Sequence, residues 1–266
     1  MATPISASAL VKALRDEGCT VVETPGWRTH NRNSKGKWGP VHGVMVHHTV
    51  TSGAKRTVEI LRDGYSGLPG PLCHLGITKD GTVHLVGHGR ANHAGKGDSA
   101  VLAAVTAEKA LPAARKADAD GNPHFYGLEC ENLGDGKDPW PAAQLDAIER
   151  AVAALCRHHG WNAESVIGHL EWQPGKVDPR GFTMKNMRDR IAKRLESTPG
   201  TGQDTAGGGG TTKEPNTDPK APAKTPTKQD GFPGADQFGP GTTNVHVTKL
   251  GQMLVARGGG RFYQVG

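Results

Sequence analysis

The stretch V41-H-G-V-M-V-H-H-T-V50 decides the reading of this chain. It is dense in β-branched residues, carries no charge, and reads as a strand covered on both faces. It ends in two adjacent imidazoles, His47 and His48, where the strand runs out into a loop. Strand ends next to loops are where side chains converge on pockets.

Outward from this strand, helical and strand signals alternate. Ser6 is placed to cap a helix carrying Leu10, Val11 and Leu14, stopped by Gly18. Ser52 opens a short helix with Val58 and Leu61, closed by Gly64. Leu72–Ile77 and Thr82–Val86 flank Lys79-Asp80-Gly81, a hairpin signal. Asp98–Lys116 is Ala-rich and reads as helical up to the interruption at Pro112. Phe125–Glu131 is a further strand. Pro141 starts a helix with Leu145, Ile148, Val152 and Leu155 on one face, ended by Gly160. A last helix spans Thr183–Leu195. Strands mixed with helices predict an α/β domain with a single central mixed β-sheet flanked by helices.

Composition changes at Ser197. Residues 197–230 contain no Val, Ile, Leu, Met, Phe, Trp, Tyr or Cys, and run through Gly207–Gly210 into a Pro/Thr/Lys stretch. Such a segment buries too little surface to offset its ordering entropy, so it is expected to be a disordered linker. It divides a globular region, 1–196, from a tail, 231–266. The tail is too short to fold alone without disulfides or metal, and is expected to be an incomplete module.

The whole chain has 266 residues with 38 Gly and 18 Pro, only 35% hydrophobic residues, and a net charge of +6. The charge favours anionic partners without choosing among them. No nucleic-acid-binding motif is present, and no apolar run reaches the length of a membrane span. The N-terminus lacks a basic, apolar leader, so synthesis in the cytoplasm without a signal peptide is expected. Cys19, Cys73, Cys130 and Cys156 form no CxxC pair and are expected to be reduced and buried. The 13 His residues point to metal or acid–base chemistry.

A zinc site that does chemistry needs three protein ligands and one open position. His47, His169 and Asp178 would supply two imidazoles and a carboxylate, although a His-x8-Asp pair alone is weak. On a doubly covered strand, alternation does not separate His47 from His48, and both stay open as ligand.

Taken together, HGVMVHHT (42–49), CHLGITKDGTV (73–83), ANHAG (91–95), YGLECEN (126–132) and GHLEWQPGKVDP (168–179) resemble, in order, the zinc-dependent N-acetylmuramoyl-L-alanine amidases, a family of phage lysins, bacterial wall-recycling enzymes and peptidoglycan recognition proteins. WRTHNRNSKGKWGPVHG (27–43) and NPHFYGLECENLGDGKDPWPAAQLDA (122–147) look most like lysins of actinobacterial phages. The resemblance implies one Zn2+ per chain on His47, His169 and Asp178. It implies Glu129 as the catalytic carboxylate, Lys176, two residues before the third ligand, as a second catalytic residue, and His93 and His74 along the substrate groove. Many lysins carry Tyr where this chain has Cys73. The activity implied is cleavage of the amide between N-acetylmuramic acid and L-alanine by a monomeric endolysin that reaches the wall after holin-type release. Residues 231–266 resemble the start of a peptidoglycan-binding module. The alternative function is a non-catalytic peptidoglycan-recognition protein.

Overall fold

The computed structural model describes residues 2–199. Beyond its first three residues the predicted linker, 197–230, lies outside the described residues, as does the whole tail, 231–266.

The elements follow in order: α1 (Ala7–Asp16), β1 (Val21–Glu23), β2 (Gly43–His48), α2 (Ala54–Asp63), β3 (Gly64–Tyr65), β4 (Leu68–Pro69), β5 (Leu75–Ile77), β6 (Val83–Leu85), β7 (Lys96–Gly97), α3 (Ser99–Thr106), β8 (Ala119–Asp120), β9 (Phe125–Cys130), α4 (Ala142–His159), β10 (Val166–Gly168), α5 (His169–Trp172) and α6 (Met184–Leu195). Six strands form one sheet in the order β1-β6-β5-β9-β2-β10. All its pairings are parallel except the predicted hairpin β5–β6. The mixed α/β sheet flanked by helices is therefore as expected.

Sequence signals and elements agree at most helix ends. The Ser6 hydroxyl accepts the N–H of Ala9 at 3.3 Å, and the Thr183 hydroxyl that of Asn186 at 3.2 Å. Gly160 ends α4 with φ +69°, the left-handed conformation Gly adopts freely. Two expectations are corrected. Ser52 does not cap α2, whose N-cap is Gly53 with no side-chain bond. The Ala-rich helix ends at Thr106, well before Pro112: Glu108 turns to a left-handed φ of +52°, and Asp98 then ties the two ends of the segment together. One Asp98 oxygen caps Ala100 N–H at 2.8 Å and the other accepts the N–H groups of Arg115 and Lys116.

β2 lies between β9 and β10, and all six of its residues are buried. Its two faces belong to different cores. Val44 and Val46 pack with Tyr126, Leu128 and Cys130 of β9 and the apolar sides of α1, α4 and α6. Met45 packs with Phe125, Ile167, Trp172, Val101 and Val105, beneath α3 and α5. Alternation along the strand then puts His47 on the Met45 side and His48 on the other. The cores supply the parity that the sequence alone lacks.

Candidate metal and catalytic site

His47 is the fifth residue of β2, and its register partner on β9 is Glu129. The β9 residues on the Met45 side are Phe125, Gly127 and Glu129. His169 follows β10 directly as the first residue of α5. The segment after α5 returns Asp178 to the same point, where the Asp178 carbonyl accepts the N–H of Leu170 at 2.8 Å. Three adjacent strands, β9, β2 and β10, and one loop thus bring these residues together at the C-terminal edge of the sheet, where ligands collect in open α/β sheets.

Three atoms meet there. His47 Nδ1 lies 3.1 Å from His169 Nδ1 and 3.1 Å from Asp178 Oδ2, and His169 Nδ1 lies 3.0 Å from the same oxygen. Among the described residues these three are the group whose donor atoms are close enough to share a metal ion. A tetrahedral zinc ion with bonds of about 2.0–2.1 Å holds its ligand atoms about 3.3 Å apart, so the triangle fits the ion. Two imidazoles and one carboxylate leave the fourth position open, the donor set of a hydrolytic zinc centre.

The electrostatics suit metal binding. Burial pushes the His47 imidazole down to about 4, with Asp178 opposing, so it stays neutral and keeps a lone pair. Burial works to raise Asp178, but the His169 and His47 imidazoles beside it prevail and hold it below the usual carboxylate range. Glu129 Oε1 lies 3.9 Å from His47 Nδ1. Burial pushes Glu129 well above the usual range, the Asp178 charge adds to this, and Lys176 opposes it. A raised carboxylate in a cleft is a stronger base than a solvated one.

His47, His169, Asp178, Glu129, His93 and Lys176 line one cleft of about 460 Å³. The model of the N-acetylmuramoyl-L-alanine amidase family matches residues 37–181, more than half of the chain. The chain belongs to that family. No curated protein matches it. Among solved structures it is similar to the N-acetylmuramoyl-L-alanine amidase LysC from Clostridium intestinale, at 16% identity over 64% of this chain and 96% of that one, with a TM-score of 0.45. It is also similar to AmiD from E. coli in complex with an anhydro-N-acetylmuramic acid peptide, at 16% identity over 59% and 58% of the two chains and a TM-score of 0.43. A third is Drosophila PGRP-LB in complex with tracheal cytotoxin, at 15% identity over 63% and 92%, with a TM-score of 0.42.

Of the two histidines expected in the groove of this amidase-family domain, His93 lines the cleft and His74 does not. His74 is buried away from the cleft, stacked on Trp38. Its Nδ1 accepts the N–H of Gly127 and its Nε2 donates to the Gly89 carbonyl, both at 2.8 Å. No ring nitrogen is left for a substrate. His93 does line the cleft, but Nδ1 faces His47 Nε2 at 3.1 Å and Nε2 faces the Phe125 carbonyl at 3.2 Å. His48 accepts the N–H of Arg180 through Nδ1 at 3.2 Å, and so steadies the loop that carries Asp178. The four cysteines are free and buried, as expected.

Other contributors escaped the sequence reading. Arg188 of α6 holds Glu171 with two bonds of 2.9 and 2.8 Å, and Glu171 Oε2 also accepts the N–H of Gly168 at 3.0 Å. This clamp fixes the turn bearing His169. Residues 17 apart in sequence give no spacing signal for it. The cleft rim carries Val50 and Tyr65, 66% and 62% exposed, and Val177, 46% exposed. Val50 has φ +54°, rare for a β-branched residue, and such strain collects at functional loops. Tyr65, an aromatic residue in the Gly-bounded stretch G64-Y-S-G67, was the one rim residue with a visible sequence signal.

Proposed function

We propose that this chain is a zinc-dependent amidase that hydrolyses the bond between the lactyl group of N-acetylmuramic acid and L-alanine of the peptidoglycan stem peptide. The observation that carries the reading is the convergence of His47 Nδ1, His169 Nδ1 and Asp178 Oδ2 beside Glu129, in a domain of this family. These three side chains would hold one ion per chain. When bound, the ion supplies Lewis acidity, which activates water near neutral pH and polarises the scissile carbonyl.

The remaining work falls to the chain's own groups. Glu129 takes a proton from the attacking water as its oxygen bonds to the carbonyl carbon. As the C–N bond breaks, Glu129 passes that proton to the leaving nitrogen of L-alanine. The Lys176 ammonium offsets charge developing on the carbonyl oxygen, an effect of roughly 3 kcal/mol in comparable oxyanion sites. Val50, Tyr65 and Val177 offer apolar walls that exclude water from the bound amide.

The same reading makes the chain a monomeric phage or prophage endolysin, made in the cytoplasm and acting on the wall after holin-type release. Residues 1–196 form its catalytic domain, and 231–266 add wall contact through the 197–230 linker. The lysin-like segments at 27–43 and 122–147 support this role. Mass spectrometry of digested sacculi tests the activity. Stem peptides bearing a free L-alanine N-terminus, alongside uncut glycan, are the expected products. New reducing sugar ends or cut peptides without that product would overturn it.

A further inference from the structure

The two imidazoles of the metal triangle are supported differently on their far sides. His169 Nε2 is buried with no hydrogen-bond partner among the described residues. His47 Nε2 lies 3.1 Å from His93 Nδ1, and His93 Nε2 lies 3.2 Å from the Phe125 carbonyl oxygen. A carbonyl only accepts, so His93 must carry its proton on Nε2 and donate it to Phe125. His93 Nδ1 is then a lone pair. It accepts from His47, which places the His47 proton on Nε2 and leaves His47 Nδ1 bare toward Asp178 and His169.

We infer that His93 is a positioning residue for the metal, a neutral relay that fixes the tautomer and ring orientation of His47, and that it does not hydrogen-bond the substrate. This rests on the zinc reading above.

The surroundings are built for such a relay. The His93 ring lies flat against Gly127, where an added Cβ would sit 2.6 Å from the imidazole. Gly127 is thus the residue that gives this ring room on β9, and its N–H is held in turn by His74 Nδ1 at 2.8 Å. The His93 and Ala94 backbone N–H groups both donate to Asn122 Oδ1 at 3.0 Å, which pins the loop from the other side. The planes of His47 and His93 cross at 88°, with His47 Nε2 and His93 Nδ1 brought to 3.1 Å of each other. The relay starts from the Phe125 carbonyl of β9, four register positions before the Glu129 that faces His47. One strand therefore sets both the base and, through His93, the ligand opposite it.

The test uses the full chain loaded with zinc, with affinity read by competition against a chromophoric chelator and geometry by the visible spectrum after Co2+ replacement. His93→Phe keeps the bulk and removes both bonds. It is expected to weaken zinc binding about 10–100-fold, the usual effect of removing an outer partner of a ligating His, and to change the Co2+ spectrum. His93→Gln retains one acceptor and one donor on a single amide and is expected to stay within a few-fold of wild type. If His93→Phe binds zinc as tightly as wild type with an unchanged spectrum, the relay is wrong while the zinc site stands. If the wild-type chain binds no zinc, the site and the relay fall together. Should His93→Phe not fold, nitrogen-15 NMR of zinc-loaded wild type decides. A protonated Nε2 and bare Nδ1 on His93 support the relay, and a proton on His93 Nδ1 overturns it.

Discussion

Glu131 lies two residues beyond Glu129, yet its carboxylate oxygens are taken by the backbone N–H groups of Gly53, at 2.7 Å, and Lys79, at 3.1 Å. Alternation puts both carboxylates on the same side of the chain. Glu129 is left facing His47, while Glu131 ties the start of α2 to the β5–β6 turn.

Substituting each Glu should therefore separate chemistry from stability. Glu129→Gln is expected to keep zinc and fold while turnover of a soluble muropeptide falls about 100-fold or more, the scale of losing a general base. Glu131→Gln opposes an NH2 group to one of two backbone N–H donors. It is expected to lower thermal stability by about 1–3 kcal/mol, the cost of leaving a buried donor unmet, with a much smaller loss of turnover. Both variants measured side by side, with metal content checked, decide the matter. A dead Glu131→Gln and an active Glu129→Gln would move the base by two residues.

Metal removal gives a second expectation. Exhaustive chelation should abolish hydrolysis and zinc should restore it. His169→Ala and Asp178→Ala should each lose both metal and activity, since each deletes a corner of the triangle. His48→Ala should still bind one zinc per chain, because His48 stands outside the donor triangle, its Nδ1 taken by the Arg180 N–H and its ring packed against Gly134. Elemental analysis of the purified variants checks this. Zinc lost from His48→Ala but kept by His47→Ala would reverse the assignment.

The strand 41–50, the β5–β6 hairpin and the capped helices were legible because each rests on local chemistry: β-branched residues, a Lys-Asp-Gly turn, a hydroxyl before a helix. The donor set was legible only through the ordered motifs, because His47, His169 and Asp178 are brought together by strand register, which no local pattern encodes. His47 could be told from His48 only once the cores on the two faces of β2 were known. His74 was misplaced for a related reason. It follows a buried Cys73 just before a strand, and nothing local shows that the Gly89 carbonyl and Gly127 N–H consume its ring.

That pairing makes His74 a source of acid sensitivity. Burial pushes its imidazole from 6.5 down to about 3, with the Gly89 bond opposing. A depressed His contributes stability in full above the unfolded value, and that stability is lost as pH falls from 6.5 toward the folded value. At about 1.4 kcal/mol per pH unit, one such group removes about 2 kcal/mol between pH 7 and pH 5. Urea unfolding of the zinc-free chain at the two pH values should show His74→Gln losing about that much less than wild type. Equal losses in the two proteins would show that His74 is not a source.

The extent of the catalytic domain yields the last expectation. The family model covers 37–181, but the structure binds that segment to residues on either side. Before it, α1 packs on α4 and β1 pairs with β6, while the Tyr126 hydroxyl accepts the N–H of Ile5 at 2.7 Å. After it, Arg188 of α6 clamps Glu171 beneath His169, and Arg157 of α4 donates to the carbonyls of Arg194 and Ser197 at 2.7 and 2.6 Å. A chain of residues 37–181 would expose the apolar face of α4 and free the turn bearing His169, so it is expected not to fold. A chain of residues 1–199 keeps every one of these contacts and is expected to bind zinc and cleave a soluble muropeptide as the full chain does. On whole cells it should act more slowly if 231–266 supply wall contact, because a tethered second site raises effective concentration. Circular dichroism and soluble-substrate rates of the three lengths check this. Loss of soluble activity in 1–199 would show that residues beyond 199 belong to the catalytic unit.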